Sequence, residues 1–139
     1  MIAIRIGIAA SLVLVAATLA AAPCSPTATS LCLSDGRFEV KVAWKDFSNK
    51  TGDGQAVSLT ADTGYFWFFS ASNIELIVKV LNACGLPGGK FWVFAGGLTN
   101  VGVTLTVTDS LTLTTQTYTN PAGTAFVAVQ DTSAFATCP

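Results

Sequence analysis

No histidine occurs among the 139 residues, so the base most often matched to neutral pH is missing and no Ser/His or Cys/His nucleophile can be assembled. A Ser/Lys dyad drawn from Ser70, Ser72 or Ser110 with Lys79 or Lys90 lacks the S-x-x-K spacing that would support it. The eight carboxylates offer Glu39 and Glu75 as a pair for glycoside hydrolysis, but both lie in alternating segments beside lysines and read as solvated charges on a sheet. "NKTGDGQ" with Asp53 resembles a fragment of an acidic calcium loop, to which Asp62 and Asp131 could add oxygens. It lacks the D-x-[DN]-x-[DN]-G array and the closing Glu. The expectation is a chain that is not an enzyme, with no catalytic residue, cofactor or metal site.

The aromatic residues are the stronger candidates. Trp44, Trp67 and Trp92 each fall within an expected strand, as do Tyr65, Phe66, Phe68, Phe69, Phe91 and Phe94. In "YFWFF" one parity is Tyr65, Trp67 and Phe69 and the other Phe66 and Phe68; in "FWVF" Phe91 goes with Val93 and Trp92 with Phe94. A strand sends successive side chains to opposite faces, so both faces of these two segments are apolar. They read as central strands covered on both sides, or as strands with one core face and one exposed aromatic face. Phe66 and Phe68 are expected inside, and Tyr65, Trp67 and Trp92 are the candidate ligand contacts.

Around them, "RFEVKVAWK" (37–45) alternates strictly, with Phe38, Val40, Val42 and Trp44 on one face. "DFSNKTGDGQ" (46–55) collects Asp, Asn, Ser and Gly and reads as a loop, in which Asn49-Lys50-Thr51 is formally a glycosylation sequon. Strands are expected at "AVSLT" (56–60), at the aromatic stretch, at "IELIVKVL" (74–81) with Ile74, Leu76, Val78 and Val80 on one face, and from Phe91 after the turn "NACGLPGGK". "VGVTLTVTDSLTLTTQTYT" reads as a hairpin turning at Asp109-Ser110, with Leu111 and Leu113 resuming the alternation and a solvent face written in threonine. "TAFVAVQ" (124–130) closes the series. Seven or eight short strands at even spacing, with no convincing helix, predict a single antiparallel β-sandwich, Ig-like or similar.

The chain opens with Met1-Ile-Ala-Ile-Arg5, a short start with one positive charge, and an apolar run from Ile6 to about Ala22 ending in small residues: a cleavable signal peptide over 1–22, against the alternatives of a membrane anchor or a lipidated Cys24. Removing it leaves 117 residues, enough for one domain, and takes away Arg5, so the net charge moves from −1 to −2. Neither nucleic acid nor an anionic membrane is an expected partner. An even set of cysteines, Cys24, Cys32, Cys84 and Cys138, in an exported chain reads as two disulfides. Three connectivities are open; Cys24 with Cys32 and Cys84 with Cys138 is favoured, the first stiffening an N-terminal arm over 23–36 and the second tying the tail to the domain over 37–139.

The phrases "GRFEVKVAWKDF", "DTGYFWFF", "ELIVKVLNACG", "FWVFAGGLTNV" and "DTSAF", spread over Leu31 to Phe135, resemble an uncharacterised β-rich domain family of secreted bacterial proteins. The resemblance implies an extracellular β-domain and carries no catalytic residue. Together these readings point to a secreted or periplasmic, non-enzymatic accessory or binding domain whose partner is an extracellular protein or a glycan. The alternative is a small disulfide-stabilised inhibitor of secreted hydrolases, presenting "NKTGDGQ" or "GLPGG" to a protease cleft.

Overall fold

The computed structural model describes Ala16 and residues 20–139; the expected signal peptide lies almost wholly outside them. Among the described residues there is no helix, and ten strands form two antiparallel sheets in a β-sandwich-like arrangement. The first sheet contains β1 (Leu31–Leu33), β2 (Phe38–Lys45), β8 (Gly102–Asp109) and β9 (Thr114–Asn120) in that order, with β3 (Thr51–Asp53) also on β2. The second runs β10 (Val129–Phe135), β7 (Phe91–Gly97), β6 (Ile74–Asn82), β5 (Thr63–Trp67), β4 (Gln55–Ser58).

Period-two alternation produces the core. Phe38, Val40 and Val42 on β2 and Val103, Leu105 and Val107 on β8 point inward from the first sheet. They meet Phe66, Leu76, Val78, Val80, Phe91 and Val93 from the second. Phe38 crosses between the layers, its ring 4.8 Å from that of Phe91 and 5.2 Å from that of Phe135. Two glycines make room for large neighbours. A Cβ at Gly64 would lie 2.5 Å from Leu31 of the opposite sheet, and one at Gly97 would lie 2.5 Å from the Phe126 ring, which fills the inward position that Gly97 vacates.

Both open sides of the sandwich are laced. On one, the Ala56 amide donates to the Ala28 carbonyl. On the other, Gln116 Nε2 donates to the Ala134 carbonyl at 2.7 Å and the Tyr118 hydroxyl to Asp131 at 2.8 Å. Burial, and then the bond to the Asp131 carboxylate, push the Tyr118 hydroxyl well above its ordinary pKa.

A third fastening joins β2, β8 and the C-terminal tail. Arg37 donates from Nε and Nη2 to the Asp109 carboxylate at 3.3 and 2.9 Å, and from Nη2 to the Thr137 carbonyl. The Thr137 hydroxyl donates to Asp109 at 2.6 Å, and the guanidinium lies 4.3 Å above the Phe91 ring. Burial alone would raise the Asp109 carboxyl, but the bonds from Arg37, Thr137 and the Leu111 amide outweigh it and hold it below the ordinary aspartate value. Beside this group Cys84 is bonded to Cys138, and Cys24, whose amide donates to the Gly36 carbonyl next to Arg37, is bonded to Cys32.

Several expected boundaries move. Strands number ten rather than seven or eight, because Leu31–Leu33 in the arm and Thr51–Asp53 in the expected loop both pair with β2. The hairpin does not turn at Asp109-Ser110: Asp109 pairs with Thr114, the chain reverses over residues 110–113, and Leu113 takes a φ of 57°. Leu111 and Leu113 are therefore exposed turn residues. Its side chain captured by Arg37, Asp109 is held in the ladder and the reversal waits for the residues after it. The last strand is Val129–Phe135, not 124–130, because residues 121–128 cross between the sheets, with Phe126 bonded through its amide to Thr99 and its ring turned inward.

Candidate functional site

The outward face of the second sheet is built from the residues that make its strands doubly apolar. Val57 on β4 lies opposite Tyr65 on β5, Tyr65 opposite Ile77 on β6, and Ile77 opposite Gly96 on β7. The next row is Thr63, Lys79, Phe94 and Gln130, and the row beyond it Leu81 and Trp92. Trp67 extends the face beyond Tyr65 along β5. The inner neighbours are sealed, Phe66 within β5 at 0% and Phe68 just past its end at 6% exposure. Tyr65, Trp67, Trp92 and Phe94 are each half-buried, whereas Ile77 stands 45% exposed.

Tyr65, Trp67 and Trp92 thus share one side of one sheet. Tyr65 and Trp92 stand two strands apart, about 10 Å, and two rows apart along the strands, about 13 Å. Trp92 and Phe94 pack edge to face at 6.1 Å, and the Lys79 ammonium sits 5.2 Å from the Phe94 ring centre. A trough of about 400 Å³ runs over Gly96 between Ile77 and Phe94, bordered by Thr63, Lys79 and Gln130. A hydrophobic floor with a few polar groups at its rim is the usual make-up of a small-ligand surface.

Phe69, expected on this face by parity, is elsewhere. β5 ends at Trp67, and the Phe69 ring lies 4.8 Å from Trp44 at the end of the core. A bulge causes a second departure. Phe66 pairs with Leu76 and Trp67 with Ile74, so Glu75 is an extra residue on β6, and Ile74 faces solvent instead of joining Leu76, Val78 and Val80. Glu75 itself is 4% exposed and accepts from Asn73, contrary to the expectation of a solvated charge. Glu39 is paired with Lys41 along its own strand at 2.8 Å.

Other candidate groups are dispersed. Asp53 is on β3 of the first sheet, while Asp62 accepts from Thr60 and Thr63 and Asp131 from Tyr118. The two threonine bonds to Asp62 lower its pKa. No three acidic, cysteine or histidine side chains gather as metal ligands among the described residues. "NKTGDGQ" is largely strand, whereas residues 85–88 form an exposed turn with Leu86 at its tip. A hollow of about 800 Å³ lies at the end of the first sheet, lined by Lys45, Phe47, Thr104, Thr119 and Asn120. The Asn120 amide is spent on its own turn, donating to the Pro121 and Thr124 carbonyls and accepting from the Val127 amide.

The opposite outward face, on the first sheet, is polar. Thr104, Thr106 and Thr108 of β8 lie directly across from Thr119, Thr117 and Thr115 of β9, and Thr108 and Thr115 bond hydroxyl to hydroxyl at 3.0 Å. Sequence reasoning missed Ile77 and Lys79 as members of the aromatic face; the second parity of "IELIVKVL", with apolar Ile77 and Leu81, was the signal for them.

Compared with known proteins, the chain matches no family model, no curated protein and no solved structure. The two disulfides point to an oxidising, non-cytoplasmic compartment. Among the described residues no helix is long and apolar enough to cross a membrane.

Proposed function

We propose that this is a secreted, non-enzymatic binding domain, exported by a signal peptide over 1–22, that uses the outward face of its second sheet to hold an extracellular ligand. The observation that carries this reading is the collection of Tyr65, Trp67, Ile77, Trp92 and Phe94 on one half-open face. Monomeric domains seldom leave so contiguous an apolar patch uncovered without a use for it. A sheet face carrying Tyr65, Trp67, Trp92 and Phe94, with Lys79, Thr63 and Gln130 among them, suits the apolar face and hydroxyl edge of sugar rings, which makes polysaccharide the first ligand class and an extracellular protein the second.

Titration of the purified domain with a polysaccharide panel, read by tryptophan fluorescence, tests the reading. Binding is expected to perturb the emission. Trp67→Ala and Trp92→Ala should each weaken binding roughly tenfold, the weight of one aromatic contact of about 1.4 kcal/mol. If a ligand is found and neither substitution alters its affinity, the face is not the site.

A further inference from the structure

A sheet edge offers unpaired N–H and C=O groups to any other strand, and folded domains blunt it by shortening, covering, bulging or charging it. Most edges of this sandwich carry such a device. β1 and β3 have three residues each. β4 has four, and its Ala56 amide is already bonded to Ala28. β10 is irregular between Asp131 and Phe135 and carries a carboxylate. β9 is different. It holds an unbroken register with β8 from Asn120 to Thr114, and its seven residues, "TTQTYTN", include no charge, glycine or proline. Among the described residues its backbone bonds to no segment other than β8. Its further ties beyond β8 and the adjacent turns are side-chain ones: Gln116 and Tyr118 reach inward to β10, and Asn120 at its end holds the following turn, none of them occupying the outer backbone edge.

We infer that β9 is an interface for a second copy of this chain, paired antiparallel about a two-fold axis normal to the sheet. A strand without charge opposes itself without repulsion, and an isologous edge contact closes at two subunits. The register is restricted. Tyr118 and Gln116 must stay on the core side in both copies, so Thr115, Thr117 and Thr119 face their counterparts on the solvent side. The paired sheets then form one continuous surface, with the threonine rows of β8 and β9 doubled across the axis.

Sedimentation velocity on the purified domain, from micromolar to millimolar concentration, tests this. A reversible monomer–dimer equilibrium is expected. Thr117→Lys/Thr119→Lys, at exposed positions that leave the core untouched, should weaken it about tenfold or more by setting like charges near the axis. Far-ultraviolet circular dichroism should be unchanged in that variant. A protein that stays monomeric throughout the range overturns the inference. So does a dimer that the double lysine variant leaves intact, and its disruption by Ile77→Lys instead would place the contact on the aromatic face.

Discussion

Replacing Asp109 by Asn keeps the shape of the side chain and removes the charge that Arg37 answers. In the wild-type protein the Asp109 side chain is fully enclosed and that of Arg37 is 15% exposed, so the pair has little water to fall back on. Removing one member of a buried pair costs about 3 to 5 kcal/mol, because the other charge is left uncompensated. Arg37 retains the Thr137 carbonyl and the faces of Phe91 and Phe38, which favours the lower end of that range. A loss of about 3 kcal/mol is a large part of a total stability of roughly 5 to 15 kcal/mol. With a urea dependence of about 1.5 kcal/mol per molar, the unfolding midpoint at pH 7 should fall by about 2 M. The carboxyl of Asp109 is held below its ordinary value in the folded state, so its contribution is complete above the unfolded value, about 3.9, and fades as the pH drops through the folded one. Wild type and Asp109→Asn should therefore converge in strongly acid solution. Arg37→Met/Asp109→Leu, which removes both charges, should recover most of the loss at pH 7. An Asp109→Asn urea midpoint within about 0.3 M of wild type at pH 7, or a gap that persists unchanged below both pKa values, would refute the reasoning.

Two further outcomes follow from packing and connectivity. Gly64→Val sets a side chain where Leu31 already lies, 2.5 Å from the first added carbon, and should destabilise the domain by about 1 to 3 kcal/mol in thermal or urea unfolding. Cys84→Ser/Cys138→Ser opens a loop of 54 residues' separation and should cost about 4 kcal/mol, against about 2.5 kcal/mol for Cys24→Ser/Cys32→Ser across a separation of 8; matched calorimetric scans check the order.

Alternation made the inner faces legible from the residues alone. Phe38, Val40, Val42, Val103, Leu105 and Val107 announce a half-buried strand because each is followed by a polar or small neighbour, and no helical period competes. Phe66 and Phe68 could be assigned inward for a related reason: the opposite parity includes Tyr65, whose hydroxyl favours a wet boundary. What could not be read were features set by distant partners. Asp109 looks like a turn residue until Arg37, 72 positions earlier, is seen to hold it in the ladder. The bulge at Glu75 depends on how β5 and β6 slide past each other, and nothing in "IELIVKVL" marks it. Thr51–Asp53 is strand only because β2 offers it an edge. The candidate site was visible in its aromatic members, but its extent was not, since Ile77 and Lys79 join it through cross-strand register.

The two outward faces differ in how they wet. One presents hydroxyl groups in paired rows along β8 and β9, and water is held there by donors and acceptors at every second residue. The other presents indole, phenol, phenyl and sec-butyl surface around Gly96, where water has few partners. A plate with one wetted side and one poorly wetted side has a preferred attitude at any boundary between water and a less polar phase. This domain should settle on such a boundary with β5, β6 and β7 underneath and the threonine rows upward, giving it an up and a down before any specific ligand is bound.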